Sequence, residues 1–86
     1  MNKPIPDLLT SYLEPGDPQY KIATDINDYF GWQFITPMAV SYWINSTYLP
    51  DIKTVKTILR VIPKNTRLWE LFDSILKELE HEPVQS

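Results

Sequence analysis

Apolar residues recur along most of the chain at spacings of three and four, the period of one face of an α-helix. This pattern predicts five short helices at residues 7–14, 18–30, 36–44, 51–62 and 66–80, with Asn65 or Thr66 as the cap of the last helix. Residues 32–35 could form a short strand, but no partner strand is evident, so we expect an aromatic turn. The prediction is an all-α, compact bundle of about five short helices.

The segment 36–50 has the most clearly marked start and stop. Thr36 can cap a helix with its hydroxyl, and Pro37 suits the first helical position, which needs no amide donor. Pro50 prevents easy continuation. One face of this helix carries Ala39, Val40, Trp43 and Ile44, and the other carries mostly Met38, Ser41, Tyr42 and Asn45. A helix this short is not stable alone in water, so its apolar face must pack on neighbouring helices.

Length and composition indicate one folded domain, residues 1–86. The 43% apolar content favours a folded chain, and the absence of cysteine excludes disulfides and thiolate metal sites. There is no 18-residue apolar run and no signal-peptide pattern, so we expect a cytoplasmic protein with no membrane partner. Within the domain we expect a flexible arm at 1–6, a helix-turn-helix core at 18–62 and a packing or dimer helix at 66–82.

The chain has few residues of the types that usually form enzyme active sites. The only histidine is His81, and a metal site built from Glu78, His81 and Glu82 would lie at a fraying helix end. A glycine-rich phosphate loop is excluded because Gly16 and Gly31 are the only glycines. We therefore expect no enzymatic activity, no metal, no cofactor and no small-molecule substrate.

Charge is unevenly distributed, although the net charge is −3. Residues 29–68 carry five basic residues and one acidic residue, whereas both ends are acidic. Lys53, Lys56 and Arg60 follow one another at spacings of three and four and form one basic stripe on a predicted helix. Chance segregation in a short chain would give the same pattern. If the stripe is functional, phosphate contacts are the use that suits it.

The helices 18–30 and 36–44, joined through Gly31, have the size and order of a helix-turn-helix unit. The outer face of the second helix is small or polar, as entry into a major groove about 12 Å wide requires. There Ser41 and Asn45 can hydrogen-bond to base edges or phosphates, Tyr42 can reach a phosphate, and Met38 can contact a thymine methyl group.

The run AVSYWIN at 39–45, followed by Pro50 and by DIKTV at 51–55, resembles the Cro/CI-type helix-turn-helix repressors of phages and bacteria. The resemblance covers about residues 21–62. It implies that Pro37, Met38, Ser41 and Tyr42 face DNA, and that Val40 and Trp43 belong to the core. Ser46 stands where the family usually has glycine, and Asn45 is a candidate for the left-handed residue in its place.

These observations together predict a sequence-specific, repressor-like transcriptional regulator that binds double-stranded DNA in the major groove with helix 36–45. The predicted base-contacting residues are Pro37, Met38, Ser41, Tyr42 and Asn45, and the predicted phosphate-contacting residues are Thr36, Lys53, Lys56 and Arg60.

The last helix carries more apolar residues than one stripe needs. Either it forms a homodimer through 66–80, as a palindromic operator would require, or the first helix packs on its second side. The alternative function is a protein–protein interaction module, an adaptor or anti-repressor on a helix-turn-helix-like fold that no longer binds DNA. It would use the aromatic face around Tyr29, Trp32, Phe34 and Tyr48, or the acidic ends.

Overall fold

The computed structural model describes residues 4–81, which form five α-helices and no strand. The helices are α1 (Ile5–Tyr12), α2 (Lys21–Phe30), α3 (Pro37–Ile44), α4 (Ile52–Val61) and α5 (Arg67–His81). The predicted all-α bundle is confirmed, and the segment 32–35 is a turn rather than a strand. None of the helices in this part of the chain has the length and apolar content needed to traverse a lipid bilayer.

The core lies along α5, which packs against both α4 and α1. The short helix α3 packs against α1 and α2. Every helix contributes to one continuous cluster, whose largest fully buried side chains include Phe72, Leu9, Ile22, Ile26 and Ile58. Burying a side chain of this size stabilises the fold by roughly 1.5–3 kcal/mol. No polar or charged residue of the described range is fully buried, so the core is held together by apolar packing.

The first helix begins two residues earlier than the sequence pattern predicts. Ile5 is helical and 5% exposed, and Pro6 lies in the first turn, where a missing amide donor costs no hydrogen bond. The prediction that α1 begins at Asp7 is therefore wrong. Of the predicted flexible arm at 1–6, residues 5 and 6 belong to this helix and residues 1–3 lie outside the described range. The second helix begins at Lys21 rather than at Pro18, which lies in the preceding turn.

Helix caps follow the predicted chemistry at three helix ends. The hydroxyl of Thr36 accepts a hydrogen bond from the amide of Ala39 at 3.1 Å, and Thr66 does the same for the amide of Trp69 at 3.1 Å. Gly31 ends α2 with a φ of 80°, as predicted. After α3 the left-handed residue is Ser46, with a φ of 62°, and not Asn45, whose φ is −87°. The prediction for Asn45 is wrong.

The apolar residues of α5 pack inside the domain. Leu68, Leu71, Phe72 and Ile75 are buried, and Trp69, Leu76 and Leu79 are partly buried against the same core. The indole N–H of Trp69 also donates a hydrogen bond to the carbonyl of Leu59 at 3.2 Å. The first helix, α1, packs on α5, as in the second explanation offered for the excess of apolar residues on α5. A homodimer through 66–80 stays a prediction.

Candidate nucleic-acid interface

The third helix is anchored through two core residues. Val40 is 0% exposed and Trp43 is 2% exposed, and the Trp43 ring meets the Phe72 ring of α5 edge-on at a centroid distance of 6.4 Å. The opposite side of the helix, which we call the outer face, consists of Pro37, Met38, Ser41, Tyr42 and Asn45. Pro37, Met38 and Asn45 are exposed, whereas Ser41 and Tyr42 are partly exposed. All five predicted base-contacting residues thus retain solvent-accessible surface on α3 and its C-cap residue.

The turn that delivers α3 is fixed by one side chain of α2. The Asn27 amide nitrogen donates to the carbonyl of Ile35 at 2.8 Å, and its oxygen accepts from the amide of Ile35 at 2.9 Å. The Phe34 ring stacks on Phe30 at 4.1 Å with an interplanar angle of 6°. This packing confirms the predicted aromatic turn. The sequence interpretation missed Asn27, although its spacing of four from Ala23 placed a polar group beside the apolar stripe of α2.

Two interactions order the outer face itself. The Asn45 amide donates to the Ser41 hydroxyl at 3.3 Å, which leaves the Ser41 proton and the Asn45 carbonyl oxygen available to another molecule. The rings of Tyr42 and Tyr48 lie 5.2 Å apart at an angle of 55°. Tyr48 is therefore a neighbour of the outer face. The sequence interpretation assigned this residue only to the surface of the alternative, protein-binding function.

An open apolar cavity adjoins the N-terminal end of the outer face. It has a volume of about 520 Å³ and is lined by Gln19, Tyr20, Pro37, Met38 and Ser41. Tyr20 and Met38 are 58% and 62% exposed, and none of the lining side chains is charged. Tyr20 was not predicted here because it precedes α2 in the chain and reaches α3 only through the tertiary fold.

Thr36, predicted to contact phosphate, uses its hydroxyl oxygen to cap α3. A hydroxyl accepts and donates at once, so its proton is still available to a phosphate oxygen at the start of the helix. Lys21, the first residue of α2, is paired with Asp25 at 3.1 Å. The hydrogen bond to Asp25 raises the pKa of Lys21, and the carboxylate offsets its charge locally.

The basic residues of α4 are exposed, but not all of them lie on the side of α4 that is next to α3. Thr54 lines a cavity with Trp43 of α3, whereas the ammonium of Lys56 lies 4.0 Å from the carboxylate of Glu80 on α5. Residues two apart on a helix differ in direction by about 200°. Lys56 therefore lies on the α5 side of α4. Arg60 is about 40° and Lys53 about 60° away from it, turned toward the Thr54 direction.

The structure therefore does not bring Lys56 together with the outer face of α3. Lys53 and Arg60 form no ion pair within residues 4–81, so their charges remain available to an external anion. Two of the three predicted stripe residues are thus candidates for phosphate contact from this geometry.

No group of residues between 4 and 81 has the composition and spacing to hold a metal ion, and Glu82 lies outside this range. Comparisons with protein-family models, curated proteins and solved structures find no significant match to the chain.

Proposed function

We propose that this protein is a sequence-specific DNA-binding regulator of the repressor type, which inserts α3 into the major groove. The observation that carries the proposal is the division of α3 into two faces. Val40 and Trp43 hold one face in the core, and the opposite face presents uncharged hydrogen-bonding and apolar groups to solvent. A short helix with its outer face free is the element that can approach base edges in the major groove.

The roles of the outer-face residues follow from their chemistry. Ser41 and Asn45 form hydrogen bonds with base edges, and Tyr42 donates its phenolic proton to a phosphate or a base. Pro37 and Met38 supply apolar contact to a thymine methyl group, for which the uncharged cavity beside them leaves room. Because Asn27 fixes the turn before α3, these groups are held ready before DNA arrives.

Phosphate contacts come from Thr36 at the start of α3 and from Lys53 and Arg60 on α4. Lys56 contributes less because it faces α5 and Glu80. These cations supply affinity without reading sequence. We propose a homodimer because two paired copies would place two recognition helices on half-sites one helical turn apart. This role places the protein in the cytoplasm, where bacterial or phage DNA is found.

The proposal is tested by fluorescence anisotropy with a labelled pool of random-sequence duplexes, at about 50 and 200 mM salt. We expect binding whose affinity falls steeply with salt, followed by enrichment of a preferred sequence on repeated selection. Lys77→Glu is the control for a change of charge outside the proposed interface. Lys77 is an exposed cation on α5, paired with Asp73, and is not among the proposed phosphate contacts. Absence of binding at the lower salt concentration would overturn the proposal.

Protein binding is the second candidate function, favoured by the aromatic turn after α2. Trp32 is 62% exposed although it packs edge-on against Phe30 and Phe34 at 6.4 and 5.6 Å. Exposed tryptophan is enriched where proteins meet. If this function is the correct one, Trp32→Ala abolishes capture of a partner, whereas Tyr42→Ala on the outer face of α3 leaves it intact.

A further inference from the structure

A second, smaller cavity lies between α3 and the start of α4. Its volume is about 190 Å³, and its lining consists of Ile35, Ala39, Trp43, Tyr48, Leu49, Pro50, Asp51 and Thr54. Its inner part is apolar, because Ile35 and Trp43 are core residues and Pro50 is buried. The half-exposed side chains of Tyr48 and Leu49 form its outer rim, so a molecule can enter from solvent. The proposed DNA contacts on the outer face do not use this cavity.

The volume sets the size of a molecule that could occupy it. An apolar cavity of about 150 Å³ is large enough to bind benzene. A cavity of about 190 Å³ therefore accommodates one six-membered ring and a short substituent. The indole of Trp43 and the phenol ring of Tyr48 provide aromatic surface for such a ring.

The polar groups of the cavity determine its charge preference. The Asp51 carboxylate neither caps α4 nor forms an ion pair or hydrogen bond within residues 4–81. The hydroxyls of Thr54 and Tyr48 likewise lack a hydrogen-bond partner in the part of the chain that the structure describes. The full negative charge of the Asp51 carboxylate outweighs the roughly half positive charge of the α4 N-terminus beside it. With two hydroxyls and aromatic surface, it favours a cation that carries N–H donors.

We propose that this cavity binds a small organic ammonium compound with a compact apolar body. The body packs against Trp43 and Ala39, and the ammonium donates hydrogen bonds to Asp51 and Thr54. The sequence interpretation expected no small-molecule substrate, and this compound is a ligand that undergoes no reaction. Its binding does not depend on the proposed DNA-binding function, so the two are tested separately.

The test uses benzylammonium as the probe and benzyl alcohol as its neutral counterpart. Each is titrated into the uniformly ¹⁵N-labelled protein, and the shifts of the Trp43 indole N–H and the Thr54 amide are followed by NMR. We expect saturable shifts with benzylammonium and about tenfold weaker binding of benzyl alcohol, because the neutral compound lacks a charge-assisted hydrogen bond. Asp51→Asn should reduce benzylammonium binding to the level of benzyl alcohol.

Two further variants separate charge from shape. Asp28→Asn removes an exposed carboxylate of α2 that does not line the cavity, and it should leave benzylammonium binding unchanged. Ala39→Leu fills the apolar end and should abolish binding of both probes. Equal affinities of the two probes for the wild type, or no effect of Asp51→Asn, would overturn the proposed cation preference. Absence of shifts at both reporters up to about 10 mM probe would overturn the site itself.

Discussion

The phenolic hydroxyl of Tyr12 on α1 donates a hydrogen bond to the Asp25 carboxylate on α2 over 2.7 Å. This bond connects α1 to α2, and the same carboxylate also pairs with Lys21 one turn earlier on α2. Burial, followed by the hydrogen bond to Asp25, raises the pKa of Tyr12 well above its ordinary value. The guanidinium of Arg67 lies over the Tyr12 ring, 4.7 Å from its centroid, and donates to the Tyr12 carbonyl at 3.0 Å.

This contact predicts a loss of stability in alkali. The raised pKa of Tyr12 means that its contribution is complete below about pH 10, the pKa of an unfolded tyrosine. Above that pH the unfolded chain releases this proton while the folded chain keeps it, so the free energy of unfolding falls as pH rises. Guanidinium unfolding at pH 7, 9, 10 and 11 measures the decline.

Tyr12→Phe isolates the contribution of the Tyr12 hydroxyl from that of the rest of the molecule. We expect it to lower stability by about 1 kcal/mol at pH 7, through loss of one hydrogen bond, and to flatten the decline above pH 10. Tyr20→Phe is the control, because Tyr20 is 58% exposed and should behave like the wild type. If the free energy of unfolding depended on pH in the same way for Tyr12→Phe and wild type, the raised pKa of Tyr12 would be contradicted.

Asn27→Ala should destabilise the fold by about 2 kcal/mol, because it leaves both the N–H and the carbonyl of Ile35 without their partner. Asn45→Ala removes an asparagine whose only side-chain hydrogen bond among the described residues is an exposed contact to Ser41, and it should change stability by less than about 0.5 kcal/mol. Chemical denaturation of the two variants is the measurement. Equal midpoints would contradict a structural role for Asn27.

Ser46→Gly should stabilise the protein by about 0.5 kcal/mol. A serine with a φ of 62° is strained, and glycine adopts that conformation freely, although it loses more entropy on folding. The neighbouring change Asn45→Gly should destabilise by a similar amount, since Asn45 has a φ of −87° and gains nothing from glycine. Thermal melts that moved in the same direction for both variants would contradict the assigned backbone conformation.

Lys53→Glu should weaken DNA binding more than Lys56→Glu. Lys53 lies closer in direction to the α3 side of α4, whereas Lys56 faces Glu80 on α5. If Lys53 contacts one phosphate, its loss should reduce the slope of log affinity against log salt by about 0.9. Anisotropy titrations at four salt concentrations give this slope. A larger effect of Lys56→Glu would place the DNA on the α5 side of the molecule instead.

Replacing thymine by uracil in the selected sequence should weaken binding at one position, because uracil lacks the methyl group that Met38 is proposed to contact. Methyl contacts of this size are worth about 1 kcal/mol, roughly fivefold in affinity. Met38→Ala should lower affinity for the thymine duplex and remove the difference between the two duplexes. Lys53→Glu, which affects phosphate contact, should lower both affinities and preserve their ratio.

Local hydrogen-bond chemistry accounts for what the sequence predicted correctly. Thr36, Thr66 and Gly31 act on backbone groups within three or four residues, so their roles can be read from their neighbours alone. The start of α1 was missed because Pro6 reads as a helix breaker, and only the burial of Ile5 in the core favours a helix that includes it. Tertiary packing decided that boundary.

The geometry of the candidate interface was less predictable. The basic stripe on α4 is visible in the sequence, but the direction of Lys56 depends on where α5 brings Glu80. In the same way, the pairing of Tyr42 with Tyr48 and the approach of Tyr20 to Met38 require the path of the chain between them. Residue types therefore predicted candidates, whereas the fold determined which of them share a surface.

Ile35 belongs both to the turn held by Asn27 and to the lining of the smaller cavity. Its backbone N–H is bonded to a side chain rather than to a helical carbonyl, so its exchange with deuterium requires the opening of this turn and not the unravelling of a helix. The exchange rate of this single amide therefore measures how often the turn between α2 and α3 opens. An occupant of the cavity that favoured the closed turn would slow that exchange while the amides of α5 kept their original rates.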